Sequence, residues 1–524
     1  MRTLVRMGEP SGRMSGGGRS AGAVAVALPR PLALPQELIW PLLLALATAA
    51  AIVPFWSSEL LPYQDAPQHI AAVRVLADYH APGLAFDRWF QPDLGRLEYL
   101  GFYLPAALIA RVSSAEAAVR VVLSLVAVAW VAAFWMFLGA MGRDRRLAVF
   151  APVVFHTAPL YLGFFNFVES VPLAVALVAL TERELRNPTW RRAAVLAPGA
   201  AVLLWLHPSA LAFALAAAAV LALTSGRTPR QMARALAAYL PSLLLLAAWA
   251  MRALAERDGP GAQARTPPHW LGLKLQVLDL LRFGNVLAGT WDEVFVLGLA
   301  ALFAAAVAVP GRPRLQRGYR LPLLALLTLA AYMVAPFDMG YMGYIHLRAL
   351  PFLMLLIIAS PSIAPGRVTG FILGAAAALT VAYSLELSAC YRAFDREAQV
   401  GELSQVLRAA QPGKRLIAII EATQSRVMQF QAYLHFAAYY EVQRGGRARY
   451  NFAETPWTPV RFRKGTEPVP LPRSWELKPR KLDLPYATSD EDYVLVRAPG
   501  PEPDGFDLVS HAGRWSLYAP TARR

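Results

Sequence analysis

The sequence predicts an α-helical polytopic membrane protein of about 11 transmembrane helices, followed by a small C-terminal extracytoplasmic α/β domain. Three observations carry that reading. Of 524 residues, 56% are hydrophobic and only 16% are charged, with a mean hydropathy of +0.39, whereas soluble domains run near a quarter charged. The apolar residues collect in runs of about 20, the length that crosses a ~30 Å hydrocarbon core. Much of the +16 net charge sits in short loops between those runs, which is a topology signal and argues against nucleic acid as a partner. A single cysteine, Cys390, excludes an internal disulfide framework and a Cys-rich metal site.

Residues 1–36 hold five Arg and one acidic residue among Gly, Ser and Ala. They have no apolar period and read as a disordered basic cytoplasmic tail. The transmembrane part, 37–389, opens with the run 37–56. Ten further spans fall near 117–141, 147–165, 168–181, 193–207, 208–224, 234–254, 292–309, 321–337, 346–362 and 368–388. The stretch 97–111 is too short to span untilted, and charge decides its place. If it does not cross, loops 143–146, 182–192, 225–234, 311–320 and 365–367 share one side and hold 15 Lys and Arg against 3 acidic residues. The first opposite-side loop, 57–116, holds 4 Arg against 7 acidic residues. The positive-inside rule then puts the N-terminus in the cytoplasm and the C-terminus outside, as a multi-pass protein of the inner (plasma) membrane.

Two outer loops follow from this topology, 57–116 and 255–290. The second carries an apolar run, Trp270 to Phe283, expected to lie on the membrane surface. From 390 to 524 the composition turns soluble, with 20 basic and 15 acidic residues. After a helical stretch from Arg396 to Ala410, "KRLIAII" and "DYVLVR" read as strands, and "FDLVSHAGRWSLYAP" as a hairpin turning near His511 to Gly513.

Ionisable side chains are expensive in a bilayer, so their positions carry information. His156 is the one clear case at mid-depth. The rest collect at outer ends: Asp65 and His69, Glu169, His207, Asp292 and Glu293, Asp338, His346 and Arg348, Glu386. The nearly empty midplane argues against a proton-coupled transporter. Asp65 suits either the N-cap of a helix beginning Ala66-Pro67 or a catalytic carboxylate. His69, four residues on, shares its face as a metal ligand or a simple hydrogen-bonding residue. In "YLGFFNFVESVPLAV", Asn166 and Glu169 occupy a tight turn with no nearby Lys or Arg, a costly place for an unpaired carboxylate. His207-Pro208 marks a span junction. In "MGYIHLRALP", Arg348 is either a snorkelling anchor or a fork of donors for a phosphate.

This layout resembles the GT-C glycosyltransferases, multi-span enzymes that use polyprenyl-phosphate sugars, the nearest being the lipid A aminoarabinose transferase and the protein O-mannosyltransferases. The resemblance covers roughly 37–365. An acidic residue follows span one (Asp65), a short apolar helix precedes span two (97–111), a second acidic residue precedes Val171-Pro172-Leu173 (Glu169), and "LRALP" around Arg348 and Pro351 is similar to the family's late Arg-Tyr-Leu-Leu-Pro. The sequence departs from the family in carrying Ala-Pro after Asp65, and His207-Pro208 where aminoarabinose transferases tend to carry Lys-Gly-Pro.

The resemblance implies transfer of a sugar from a polyprenyl-phosphate donor to a lipid, glycan or protein acceptor on the outer face. Asp65 and Glu169 would be catalytic, with His69, Asn166, His207, His346 and Arg348 binding substrate. A Mg²⁺ or Mn²⁺ ion, if used, would rest on Asp65, Glu169 and His69. The alternatives are a polyprenyl-diphosphate-linked polysaccharide polymerase or ligase, a non-catalytic membrane scaffold, and a lipid transporter.

The charge bias generates a first prediction. A topology reporter fused after residue 390 is active only outside the cytoplasm, and one inserted in 311–320 only inside. Both reporters on one side would break the 11-span arrangement.

Overall fold

The computed structural model describes residues 36–521, except 96–97, 256–265, 314, 316, 341, 456–457 and 473–474. The expected basic tail lies outside the described residues up to Gln36, where the first helix starts. Five described helices are long and apolar enough to cross a bilayer: Leu38–Trp56, Ala115–Ala140, Phe165–Arg186, Trp291–Ala308 and Arg367–Ala398. A bent pair, Pro229–Ala237 and Leu240–Arg252, makes a sixth if counted as one span. Shorter apolar helices occupy Leu100–Ala110, Pro208–Leu223, Arg320–Val334 and His346–Ala359.

Two helices depart from the expected pattern for readable reasons. Helix 367–398 runs straight through position 390. Its buried Leu373, Ala376, Thr380, Tyr383, Leu387, Tyr391 and Phe394 keep the three-to-four spacing of one helical face, so the change in composition falls inside a helix. Stretch 147–165 is not one helix. A 3₁₀ turn, Arg145–Phe150, leads to a helix Ala151–Phe155, and after a break at His156-Thr157 to a second, Ala158–Tyr161. Pro152 and Pro159 each open a helix, where their missing N–H costs nothing. The break is closed by side chains: His156 Nε2 donates to the Ala51 carbonyl at 2.8 Å, and Thr157 Oγ1 to that of Val154 at 2.7 Å.

The basic loops meet at one end of the bundle. Arg143 Nη2 donates to the Gly318 carbonyl (3.2 Å) and Arg227 Nη2 to that of Arg186 (2.9 Å). Arg146 lies over Trp40, 5.4 Å from the ring centroid, and its guanidinium also adjoins Gly370. Arg320 grips Glu182 with two bonds of 2.8 and 2.7 Å, and also reaches Leu221 and Thr224. The short helix 100–110 stays at the opposite end. It begins beside Leu206 and Glu169 and leads to Ser114, the N-cap of helix 115–140. That helix's Arg120 donates to the carbonyls of Ser58 and Glu59, in the first outer loop. Helix 100–110 therefore begins and ends at the same end of the bundle.

The surface run of the second outer loop is a helix, Leu273–Leu281, that buries Gln276 and exposes Leu273, Leu275 and Leu281. That is the inverse of a soluble amphipathic helix and suits a helix lying against lipid. Tyr332 donates to the Gln276 carbonyl (2.5 Å) and Trp270 Nε1 to that of Val334 (3.0 Å), which fastens it to the outer end of helix 320–334.

Among the described residues nine short strands complete the fold: β1 Phe90–Pro92, β2 Thr266–His269, β3 Asp338–Gly340, β4 Arg415–Ile420, β5 Arg447–Arg449, β6 Val460–Phe462, β7 Tyr493–Arg497, β8 Phe506–Ala512 and β9 Trp515–Pro520. A five-stranded sheet has the order β5-β4-β7-β9-β8, with β4 parallel to β5 and β7, and β9 antiparallel to β7 and β8. The β8–β9 hairpin turns at Gly513, φ +57, as its sequence indicates. Strand alternation splits the apolar side chains. Leu416, Ala418, Ile420, Leu495 and Leu517 join the main core, while Ile417, Ile419, Val494, Val496 and Tyr518 pack with Trp475 on the other face.

This sheet region is joined to the first outer loop. β1 pairs with β6, the rings of Phe90 and Phe462 stack at 5.4 Å, and Gly446 N–H donates to the Leu84 carbonyl at 2.7 Å. From helix 367–398, the Asp395 carboxylate accepts from Glu59 N–H (2.5 Å) and Leu60 N–H (3.1 Å).

Burial ranks the ion pairs. Glu182 is 2% and Arg320 10% exposed, against 30% and 32% for Asp492 and Arg415. Glu182 Oε1 also accepts from Arg186 Nε at 2.8 Å, so Arg320→Ala leaves the buried carboxylate half-answered and should cost about 3 kcal/mol, the low end for a broken buried pair, whereas Asp492→Asn should cost about 0–1 kcal/mol. Unfolding of the detergent-purified protein measures both. Equal losses would contradict the ranking.

Candidate functional site

Asp65 occupies the N-cap position of helix Ala66–Ala77, yet its side chain makes no capping hydrogen bond. Pro67 already removes one of the N–H groups a cap would serve. The carboxylate turns instead to the C-terminal region, where His435 Nε2 lies 3.2 Å from Oδ1. Gln64 Nε2 adds a weak contact to Oδ1 at 3.4 Å. His435 is buried, and its ring stacks on Tyr450 with centroids 4.9 Å apart and planes at 11°, so the plane of the imidazole is set. Its Nδ1 is buried with no hydrogen-bond partner. Gln68, one turn along the helix, donates to the Tyr450 carbonyl (2.8 Å) and accepts from Phe452 N–H (3.1 Å). These two bonds lock the helix to the segment that carries the stacking partner.

Beneath Asp65 passes the turn at Gly163, φ +89, where a Cβ would fall 2.6 Å from Asp65 Cβ. Only glycine fits both the conformation and the space. Three residues later begins the second half of the site. Asn166 and Glu169 lie one turn apart on helix 165–186, and Asn166 Oδ1 and Glu169 Oε2 are both buried without partners. Glu169 Oε1 faces Gly101, 3.7 Å from where a Cβ would stand, and Leu206 fills the same space.

His207 follows Leu206 and caps the next helix. Its Nδ1 accepts from Ser209 N–H (3.2 Å), and Ser209 Oγ lies 2.7 Å away, so in the neutral ring the proton is on Nε2. Tyr99 and Phe167 meet the ring edge-on at 5.3 and 5.4 Å. Arg348 lies over Phe164 (4.7 Å to the centroid), donates from Nη1 to the Gly343 carbonyl (2.9 Å), and has a buried, unpartnered Nε. Arg348 is within electrostatic range of both His207 and Tyr99. Tyr344 adjoins Phe164 at 6.4 Å and links the halves. Burial above all, then the charges of Asp65 and Asp279, pushes its hydroxyl above the usual range.

The structure thus gathers Asp65, Asn166, Glu169, His207 and Arg348 at the end of the bundle opposite the basic loops, around Tyr99, Phe164, Phe167 and Tyr344. Native proteins rarely bury polar atoms unpaired. The orphaned atoms on Asn166, Glu169, Arg348 and His435 are those a bound substrate could satisfy. His435 and the three linking aromatics Tyr99, Phe164 and Tyr344 are not singled out by the sequence. The one available signal was His435 itself, alone in the aromatic run "AYLHFAAYY".

One expected substrate ligand is corrected. His69 Nε2 lies 2.7 Å from the Gly163 carbonyl, which can only accept, so Nε2 carries the proton and Nδ1 accepts from Tyr103 OH at 2.6 Å. Neither nitrogen is left for a metal or a phosphate. Burial, partly offset by Asp65, brings its pKa down to about 4, and the neutral ring holds the Gly163 turn against the helix. His346 keeps one nitrogen free: Nε2 lies 3.0 Å from Asp279 Oδ2, the ring sits beside Tyr332 and Phe337, and Nδ1 is buried without a partner. It anchors helix 273–281. Among the described residues no three His, Cys, Asp or Glu side chains gather to hold a metal, so the Asp65, Glu169 and His69 set expected for Mg²⁺ or Mn²⁺ is not assembled.

No protein-family model and no curated protein matches the chain. Solved structures similar to it include the following two. ArnT from Cupriavidus metallidurans, bound to undecaprenyl phosphate, superposes with a TM-score of 0.56 at 10% identity, over 93% of this chain and 99% of that one. The arabinofuranosyltransferase AftD from Mycobacteria gives a TM-score of 0.50 at 16% identity, over 92% of this chain and 41% of that one. The chain spans less than half the length of AftD. The chain shares the fold of these structures.

The state of His69 has a pH signature. Between about pH 6.5 and 4 the unfolded chain takes up a proton that the folded imidazole refuses, so stability falls on acidification through that window. The full loss is about 3 kcal/mol for a shift of this size. In urea titrations of the detergent-purified protein from pH 7 to 4, His69→Gln should flatten this part of the slope. An unchanged slope would mean that His69 is protonated in the fold.

Proposed function

We propose that this chain is a membrane glycosyltransferase that moves a sugar from a polyprenyl-phosphate donor to an acceptor hydroxyl on the outer face of the membrane. One observation carries the reading: Asp65, freed from helix capping, is held by His435 beside a cluster that includes Arg348 with an unsatisfied N–H. The likeness to a fold whose member ArnT binds undecaprenyl phosphate supports a lipid phosphate as the group that enters. In this reading the chain crosses the inner membrane 11 times, with the basic end in the cytoplasm and the sheet region outside.

The chemistry follows from the charges. The donor is a phosphodiester of a sugar and a long lipid. The acceptor oxygen bonds to the anomeric carbon while the bond from that carbon to the phosphate oxygen breaks and its electron pair leaves with the phosphate. Asp65 takes the hydroxyl proton, and His435 fixes the direction in which the carboxylate points. The departing polyprenyl phosphate gains a negative charge, and Arg348, with the Nε2 hydrogen of His207, faces it. Asn166 and Glu169 stand on the sugar side, where their unpaired oxygens accept from sugar hydroxyls. No step is assigned to a metal ion.

Asp65→Asn keeps the size and removes the charge. It should leave thermal stability near that of wild type and lower the transfer rate by roughly 10²-fold or more. Arg348→Lys keeps the charge but loses the fork, so the KM for donor should rise by more than kcat falls. The assay follows radiolabelled sugar from polyprenyl phosphate in membranes, with cell extract supplying the acceptor. Wild-type turnover in the Asp65→Asn protein would remove the main ground for calling the chain an enzyme.

A further inference from the structure

A second site lies in the C-terminal sheet, away from Asp65. A cavity of about 410 Å³ is lined by Glu397, Gln424, Arg426, Arg497, Arg514 and the Ala498-Pro499 backbone. Its position follows from the sheet topology. From β4 the chain goes to β5 on one side, then returns to β7 on the other, and β4 and β7 run parallel. The cavity stands where these two strands end, at Ile420 and Arg497. In α/β sheets the crevice between carboxyl ends at such a reversal of strand order is where ligands settle, because the connecting segments diverge and leave it open.

The wall chemistry selects the ligand. Three arginines against one carboxylate give the lining a net charge of two positives. Glu397 is already held by Ser425 Oγ (2.6 Å) and by Arg426 N–H (2.9 and 3.1 Å), so its charge is partly answered within the fold. Arg497 is not answered. It is 2% exposed, with its guanidinium 3.7 Å above Tyr433 and 5.8 Å from the centroid of Trp515. Nη1 donates to the Ala422 carbonyl at 3.1 Å, but Nε and Nη2 are buried without an acceptor. A buried guanidinium with two nitrogens lacking an acceptor is costly, and a planar fork of this kind matches the oxygens of a phosphate. The exposed Arg426 and Arg514 stand at the mouth, where they can close on the same anion.

We propose that this cavity binds a phosphate-bearing ligand. A phosphate monoester carries close to two negative charges at neutral pH, which balances the lining, and the volume leaves room for a further group of about sugar size. The ligand could be soluble or a lipid headgroup. Ala288 N–H donates to the Val427 carbonyl (2.8 Å) and Gln429 N–H to that of Val286 (3.0 Å), which places the mouth just above the outer ends of helices 291–308 and 367–398.

The experiment uses the full chain in detergent and needs no transfer activity, so its outcome is independent of the transferase reading. Equilibrium dialysis with radiolabelled inorganic phosphate should show one saturable site per chain. Binding should weaken at least tenfold in the Arg426→Gln, Arg514→Gln double variant, whose unliganded unfolding stays that of wild type. The charge-matched control Lys478→Gln, Lys481→Gln, outside the cavity, should bind as wild type does. In a second arm, short-chain phosphatidic acid is added in mixed micelles. If it displaces phosphate, the natural source is a lipid headgroup; if it does not, the source is a soluble phosphate. Absence of saturable binding in both arms, or equal loss in the double variant and its control, would overturn the proposal.

Discussion

A carboxylate at the edge of a bilayer needs either water or a partner, and Asp65 has its partner from the far end of the chain. The 3.2 Å contact with His435 requires everything around it to be in register. Tyr450 must stack on the imidazole, Gln68 must bridge helix 66–77 to Tyr450 and Phe452, and the glycine at 163 must let a turn pass directly beneath. The β1–β6 pairing and the Asp395 contacts to Glu59 and Leu60 hold the two polypeptide segments at that distance. Without the sheet region, Asp65 would be a helix-terminal carboxylate exposed to solvent and free to cap. With it, the carboxylate is fixed in direction and only partly hydrated.

The two ends of the bundle spend polar groups differently. At the basic end, Arg320 meets Glu182, Leu221 and Thr224 at once, as a low-dielectric surrounding demands, while Arg143 Nε and Glu184 Oε1 are left without partners. At the outer end, polar atoms on Asn166, Glu169, Arg348 and His435 are left over. Complete pairing stabilises, whereas incomplete pairing reserves capacity for a ligand at a cost in stability. The cluster of leftover atoms beside Asp65 is the ground on which function is proposed at that end. The arginines around the second cavity repeat the contrast within the sheet region, where the buried Arg447 and Arg449 pair with Asp490 and Glu491 while Arg497 has no carboxylate.

The sequence makes the membrane part legible because charge is scarce there. In an apolar run each ionisable residue is conspicuous, so Asp65, Glu169, His207 and Arg348 stand out, and the sidedness of the basic loops follows from counting Arg. The same argument misleads for His69, since an ionisable type can equally be a hydrogen-bonding post, and only the positions of the Gly163 carbonyl and Tyr103 hydroxyl reveal it. The broken segment at 147–165 hides because its composition is that of a span, and what breaks it is the spacing of two prolines with His156 and Thr157 between. His435 is hidden for the opposite reason. In a region of ordinary soluble composition a histidine carries no surprise, and its meaning comes from a partner 370 positions earlier. The cavity at β4 and β7 depends on strand order, which residue patterns alone do not specify.

The central claim is that Asp65 and His435 act as one unit in sugar transfer, and a double-mutant cycle on the transfer rate tests it most directly. Asp65→Asn, His435→Gln and the double variant are compared with wild type under saturating donor. If His435 works through Asp65, its substitution slows the wild-type enzyme but adds nothing once the carboxylate is gone, so the double variant is as slow as Asp65→Asn alone. If the two effects multiply, the residues act independently, and the contact between them is structural rather than part of the chemistry.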